Sequence, residues 1–216
     1  MAQHGFGKAV EQTDATVFIV DDDPAIRVAM QALMDSVDQP HEILESADEF
    51  LERFGDHQLP GCLVLDIRMP GLGGLELQDA LIQRGNSIPI IFISGHGDVP
   101  MAVDAMQKGA VDFIQKPFRD QDLLDRIHLA LRTDEERRKA AEHIDEVQSL
   151  IGRLTHREHE VFDLVVTGKP NKVIAYELGV SQRTVEIHRA RVMEKMQARS
   201  LADLVRMHIA SKQSQA

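Results

Sequence analysis

Asp21, Asp22, Asp66, Ser94 and Lys116 each stand at the end of a short apolar run, and together they have the make-up of a phosphoryl-transfer site. The runs are TVFIV, CLVL, IPIIFI and VDFIQ. Three carboxylates brought close together repel one another, and without a positive charge at least one takes up a proton. A hard divalent cation resolves that conflict. Mg²⁺ (or Mn²⁺) prefers oxygen ligands, commonly one or two carboxylates with waters and a phosphate oxygen. In such a set Asp66 attacks phosphorus as a carboxylate nucleophile, the cation neutralises the equatorial oxygens, and Lys116 and Ser94 bind oxygens of the transferred group. Asp23, directly before Pro24, reads instead as the N-cap of a helix.

These residues are far apart in the chain, and the hydrophobic period predicts what gathers them. The runs TVFIV, HEIL, CLVLD, IPIIFIS and VDFIQK alternate with AIRVAMQALMDSV, ADEFLERF, GLELQDALIQRG and VPMAVDAMQKGA, in which apolar residues recur three and four apart. Continuous rather than every-other apolar runs predict a five-stranded parallel sheet covered on both faces. That is a doubly wound α/β domain over residues 14–132, after a polar tail of residues 1–13. In such a sheet ligands bind at the carboxyl ends of the strands, where strand order reverses. Glu45 and Ser46, which end the second strand, are set aside because a strand outside the first is too far away.

From Arg119 to Gly152 a helical pattern runs without Pro or internal Gly, charged all round at RTDEERRKAAEH, with Ile144, Val147, Ile151 and Leu154 three and four apart. It predicts a long linker helix, residues 133–153, whose apolar seam either pairs in a short coiled coil or packs on the next domain. Residues 154–212 read as short helices with stops at Gly168 and Gly179 and N-caps at Asn171 and Ser181. The turn LGVS followed by SQRTVEIHRARVMEKM makes a helix-turn-helix whose second helix suits a DNA major groove.

The net charge of −11 looks hostile to nucleic acid until it is divided along the chain. Residues 150–216 carry 11 Lys and Arg against 7 Asp and Glu, or +4, which leaves 13 against 28, or −15, for residues 1–149. Arg183, Arg189, Arg191 and Lys195 cluster on or beside the second helix, with Lys169 and Lys172 before it, as phosphate neutralisation requires. The only cysteine, Cys62 in GCLVLD, reads as a buried thiol. The opening MAQHGFGKAVEQTDA has no apolar leader core and IPIIFI is too short to span a bilayer, so a cytoplasmic protein without a membrane partner is expected. His96, flanked by glycines, reads as a solvated loop histidine, and the ten histidines contain no zinc-site spacing.

The stretches VDDD, LDIRMPGLGG and ISGHGDVPMAVDAMQKGAVDFIQKPF resemble the receiver domain of two-component response regulators, most closely the FixJ subgroup. The resemblance implies a flavodoxin-like sheet with Asp66 as phosphoacceptor. It puts Mg²⁺ on Asp21, Asp22, Asp66 and the backbone carbonyl of Arg68, makes Ser94, Phe113 and Lys116 the switch set, and implies a cis peptide before Pro117. It also implies a dimer face around the fourth helix and fifth strand, carrying Met101, Val103 and Lys108. The segment from Leu154 to Met207 is similar to the LuxR/NarL-type DNA-binding domain. That similarity puts Lys172, Ser181, Thr184, His188 and Lys195 near phosphates and Glu186, Ile187, Ala190 and Arg191 near bases, with Arg183 beside them, and SLADLVRMHIA as a dimerisation helix. The implied partners are a sensor histidine kinase, promoter DNA with twofold-related half-sites and a second copy of the chain when phosphorylated, with RNA polymerase a further candidate.

Two other readings compete. A Mg²⁺-dependent phosphatase would turn over through an aspartyl phosphate, but the second position after Asp66 is Arg68 rather than an acid able to protonate a leaving group. A regulator controlled by a small ligand or a partner irrespective of phosphate would keep full control in an Asp66→Asn variant.

Overall fold

The strand β1 (Thr16–Val20) shows why its apolar run is unbroken. Val17 and Ile19 point into one core with Met30, Met34, Leu123 and Ile127, while Phe18 and Val20 point into another with Phe50, Leu77 and Ala105. Alternating side chains thus feed both faces of a sheet covered by helices on each side. The computed structural model describes residues 15–95 and 99–213; the polar tail and His96 lie outside the described residues.

Helix α1 (Pro24–Ser36) follows β1 and is capped by Asp23, whose side chain accepts from Ala25 N at 2.8 Å with Pro24 in the first turn. Then come β2 (His41–Leu44), α2 (Ala47–Phe54), β3 (Gly61–Asp66), α3 (Gly74–Gln83), β4 (Ile90–Ser94), α4 (Val99–Gln107) and β5 (Asp112–Gln115). All pairings are parallel, in the order β2-β1-β3-β4-β5. The chain steps outward from β1 to β2 and returns to β3, so the order reverses between β1 and β3. Val20 is level with Leu65, Asp66 with Ile93, and Ser94 with Gln115. That register brings Asp21, Asp66, Ser94 and Lys116 to one edge of the sheet. Gly74 lets α3 start hard against the nucleophile strand: a Cβ there would lie 2.3 Å from the Asp66 carbonyl oxygen.

Helix α5 (Asp120–Gly152) is continuous, as its sequence predicts, and the division between two compact units, Met1–Glu136 and Arg137–Ala216, falls within it. In the first unit Asp134 is buried and accepts from Gly61 N at 3.1 Å. The second unit contains α6 (His156–Val165), α7 (Asn171–Leu178), α8 (Gln182–Lys195) and α9 (Leu201–Gln213). Its core joins Leu150 to Val161, Phe162, Ile174, Val185, Val192 and Leu204, with Ile151 and Leu154 packed against it. The end of the linker seam therefore packs within its own unit.

Gly179 ends α7 in the left-handed region (φ 66°) and so makes the turn into α8. Ser181 caps α8 as expected. Asn171 does not cap α7. Pro170 holds that position, and Asn171 Oδ1 instead accepts from Arg189 Nη1 at 2.9 Å, tying the two helices of the turn together.

Candidate functional site

At the carboxyl edge of the sheet, Lys116 Nζ donates to Asp21 Oδ2 at 2.7 Å and to Asp66 Oδ1 at 2.8 Å. The turn that carries Lys116 contains a cis peptide to Pro117. Asp66 Oδ2 accepts from Arg68 N at 3.0 Å, and Asp21 Oδ1 from Asp23 N at 2.9 Å, so both carboxylates are held at both oxygens. Asp21, Asp66 and Ser94 are buried, whereas Asp22 is exposed. Burial raises the Asp66 carboxyl above its ordinary value, only partly offset by Lys116, and the nearby Asp21 adds to the rise. For Lys116 burial favours the neutral amine, but the hydrogen bonds from its ammonium to Asp21 and Asp66 outweigh it and hold its pKa above the usual lysine value.

Among the described residues, no three His, Cys, Asp or Glu side chains converge as metal ligands. Lys116 joins two of the three expected carboxylates, and Asp22, next in the chain to Asp21, is exposed. Two carboxylates facing one cationic nitrogen, beside backbone carbonyls, are still a donor set that suits Mg²⁺, which completes its shell with water and phosphate oxygens.

In the second unit, Arg183, Ile187, Ala190, Arg191 and Glu194 form the exposed face of α8, recurring at helical spacing, while Val185, Val192 and Met196 are buried on the other side. Of the four residues expected near bases, Ile187, Ala190 and Arg191 share this face. Glu186 is half-buried at its margin, within 3.4 Å of Gln182 Nε2 and 3.5 Å of Arg183 Nη1. Lys172 and Ser181 are exposed, Thr184 is half-buried next to Ser181, and His188 is half-buried with its Nδ1 turned inward. Lys195 is engaged within the fold. Its Nζ donates to Glu158 Oε2 at 2.6 Å and to the Arg153 carbonyl at 3.1 Å. Glu158 is buried and closes a capping box with Thr155 on α6; the Lys195 ammonium and the Thr155 N–H lower its pKa from 4.5 to about 2.

Residues 17–128 match the response regulator receiver domain family, and residues 152–208 match the bacterial regulatory proteins of the luxR family. The chain belongs to the two-component response regulators. Its relatives include nodulation protein W of Bradyrhizobium diazoefficiens, 48% identical over 93% of this chain and 88% of the relative. The response regulator protein TmoT of Ectopseudomonas mendocina is 43% identical over 90% of this chain and 88% of its own. Among solved structures, response regulator StyR has a TM-score of 0.80 at 46% identity, covering 89% of this chain and 97% of that one. Full-length FixJ from B. japonicum has a TM-score of 0.58 at 39% identity, covering 93% and 98%.

In the receiver of this response regulator, Phe113 is half-buried against the Phe92 side of the core and also lines an apolar groove of about 490 Å³ with Val99, Ala102, Val103, Met106 and Gln107. Val99, Val103 and Met106 are exposed and stand in line on α4. Of the three residues expected on one dimer face, Val103 lines this groove. Met101 packs into the core, and Lys108 is tied to Asp79 at 2.8 Å and Asp104 at 3.1 Å. Two residues the sequence reading passed over also matter to these sites, Glu158 and Arg27. Arg27 had a signal: a cation near the N-terminal end of a helix opposes the macrodipole and needs another reason to be there.

Proposed function

We propose that a sensor histidine kinase phosphorylates this response regulator on Asp66, and that the phosphoryl group favours a dimer that grips promoter DNA at two twofold-related half-sites. The observation that carries the first step is Lys116 Nζ bridging Asp21 and Asp66, with Ser94 on the neighbouring strand. An oxygen of Asp66 bonds to phosphorus while the P–N bond of the kinase phosphohistidine breaks, and the imidazole nitrogen leaves with the electron pair. Asp21, Asp22, Asp66 and the Arg68 carbonyl would hold Mg²⁺ or Mn²⁺; the cation would supply charge neutralisation for the phosphoryl oxygens. Lys116 then exchanges Asp66 for a phosphoryl oxygen, and Ser94 donates to another, drawing the end of β4 inward with Phe113 following.

The dimer reading is supported by the groove on α4 and β5, whose exposed Val99, Val103 and Met106 are costly to leave in water. Ile187, Ala190 and Arg191 are the proposed base readers, and Lys172, Ser181, Arg183, Thr184 and His188 the proposed backbone contacts. Lys195 is reassigned to bracing α8 on α6. The domains run over residues 14–132, 133–153 and 154–212, although buried Asp134 carries the receiver packing into the linker. The protein acts in the cytoplasm, where kinase, promoter and RNA polymerase meet. It is a switch rather than a turnover enzyme, since Arg68 stands where a phosphatase needs an acid.

Incubation with acetyl phosphate and Mg²⁺ tests the phosphoacceptor. Intact mass rises by one phosphoryl group in wild type and stays unchanged in Asp66→Asn; equal labelling of that variant would overturn the assignment.

A further inference from the structure

We infer that Arg27 is a positioning residue for phosphoryl transfer, holding the acid turn in the conformation that binds the divalent cation. The inference rests on the reading of Asp66 as phosphoacceptor. One nitrogen of Arg27, Nη1, donates to the backbone carbonyls of both Asp21 (2.8 Å) and Asp22 (2.9 Å). These are the first two carbonyls beyond β1, where the ladder that serves the strand has ended. The side chain is mostly buried, 19% exposed, and its other nitrogen lies 3.9 Å from Glu45 at the end of β2. Arg27 thus links the strand set aside as too distant to the acid turn itself.

At the head of the turn Asp21 is held from outside it, its N–H donating to the Leu44 carbonyl at 3.4 Å and its carboxylate accepting from Lys116 at 2.7 Å. Between the end of β1 and the first turn of α1 the chain reverses within Asp21, Asp22 and Asp23, three like-charged residues that repel one another. Asp21 and Asp23 are each pinned through a side-chain oxygen, to Asp23 N and Ala25 N. The two peptide planes between them are oriented by the Arg27 nitrogen, which fixes the directions in which the Asp21 and Asp22 side chains leave the backbone. A metal site with few protein ligands depends on such outer partners, whose removal usually weakens metal binding by about 10–100-fold. Charge alone predicts the opposite, because a guanidinium beside the acids repels a dication. The sign of the effect therefore separates positioning from simple electrostatics.

The test compares wild type with Arg27→Ala and Arg27→Lys, each shown to be folded by thermal unfolding. Mn²⁺ binding is read from the electron paramagnetic resonance of the free ion, and the Mg²⁺ dependence of phosphorylation by acetyl phosphate from intact mass. Arg27→Ala should weaken Mn²⁺ binding by about tenfold or more and raise the half-saturating Mg²⁺ in parallel, leaving the rate at saturating Mg²⁺ nearly unchanged. Arg27→Lys, which keeps the charge and can still donate to both carbonyls, should recover part of the loss. Unchanged or tighter Mn²⁺ binding in Arg27→Ala would overturn the inference. A wild-type protein that takes up no phosphoryl group would overturn the underlying reading instead.

Discussion

Two lysines of this response regulator, Lys116 and Lys195, each meet a buried carboxylate, and their roles diverge because of what surrounds them. Lys116 is shared between two acids at an open strand edge, so it can exchange one of them for a phosphoryl oxygen. Lys195 has a single acid, Glu158, which is also committed to the first turn of α6. The pairing lowers the folded-state pKa of Glu158 to about 2, below its ordinary value of 4.5. An acid shifted down contributes stability above its unfolded pKa and loses that contribution as pH falls through its folded one. The melting temperature of wild type should therefore exceed that of Glu158→Gln at pH 7, and the difference should shrink below about pH 4.5. A difference that stayed constant down to pH 3 would mean the ion pair adds nothing to the fold.

In the proposed DNA complex, helix α8 separates reading from bracing by its two sides. Its exposed side carries Arg183, Ile187, Ala190 and Arg191, and its buried side, with Lys195 at the end, fastens it to α6 and α7. Losing a contact to a base edge costs about 1–3 kcal/mol and relaxes sequence preference. Losing a charged hydrogen bond within the fold costs about 1.5–3 kcal/mol of stability. Arg191→Ala should accordingly weaken binding to the operator more than to random DNA, with unfolding unchanged. Lys195→Ala should lower the melting temperature and leave the operator preference intact. Titrations of both variants against operator and scrambled duplexes, alongside thermal melts, check the division; a Lys195→Ala variant that binds both duplexes equally more weakly, with a shallower salt dependence, would place that side chain on a DNA phosphate after all.

Across the whole molecule, phosphate at one edge of the receiver has to change affinity in a separate domain. Taking a two-state equilibrium from almost all off to almost all on needs about 5.5 kcal/mol of preference. Charge-assisted hydrogen bonds from Ser94 and Lys116, at about 1.5–3 kcal/mol each, are of that order. The proposed dimer would present two basic domains to two half-sites at high effective concentration, so affinity would rise without a new base contact. Val103, 51% exposed in the apolar groove, is the place to interrupt this. Val103→Asp should take up phosphate normally yet remain a monomer in sedimentation and show no gain in operator affinity. A full dimer population in the phosphorylated variant would move the interface to another face.

The architecture was legible because its determinants are local. Unbroken apolar runs specify parallel strands buried on both faces, and the residue that ends each run must lie at the carboxyl edge wherever the strand sits. Asp21, Asp66, Ser94 and Lys116 could be collected on that rule alone, as could Asp23, Ser181 and Gly179 from capping chemistry. Tertiary structure alone decided which of these touch, because contacts between residues 95 and 50 positions apart depend on strand order and register. It left Asp22 exposed, gave Asn171 to Arg189 rather than to the helix start, and packed Met101 into the core while Val103 lines the groove. It also drew Lys195 onto Glu158 and Arg27 onto two backbone carbonyls. A long cationic side chain reads the same in sequence whether it reaches for solvent, DNA or a buried acceptor, and only the packing around it selects one.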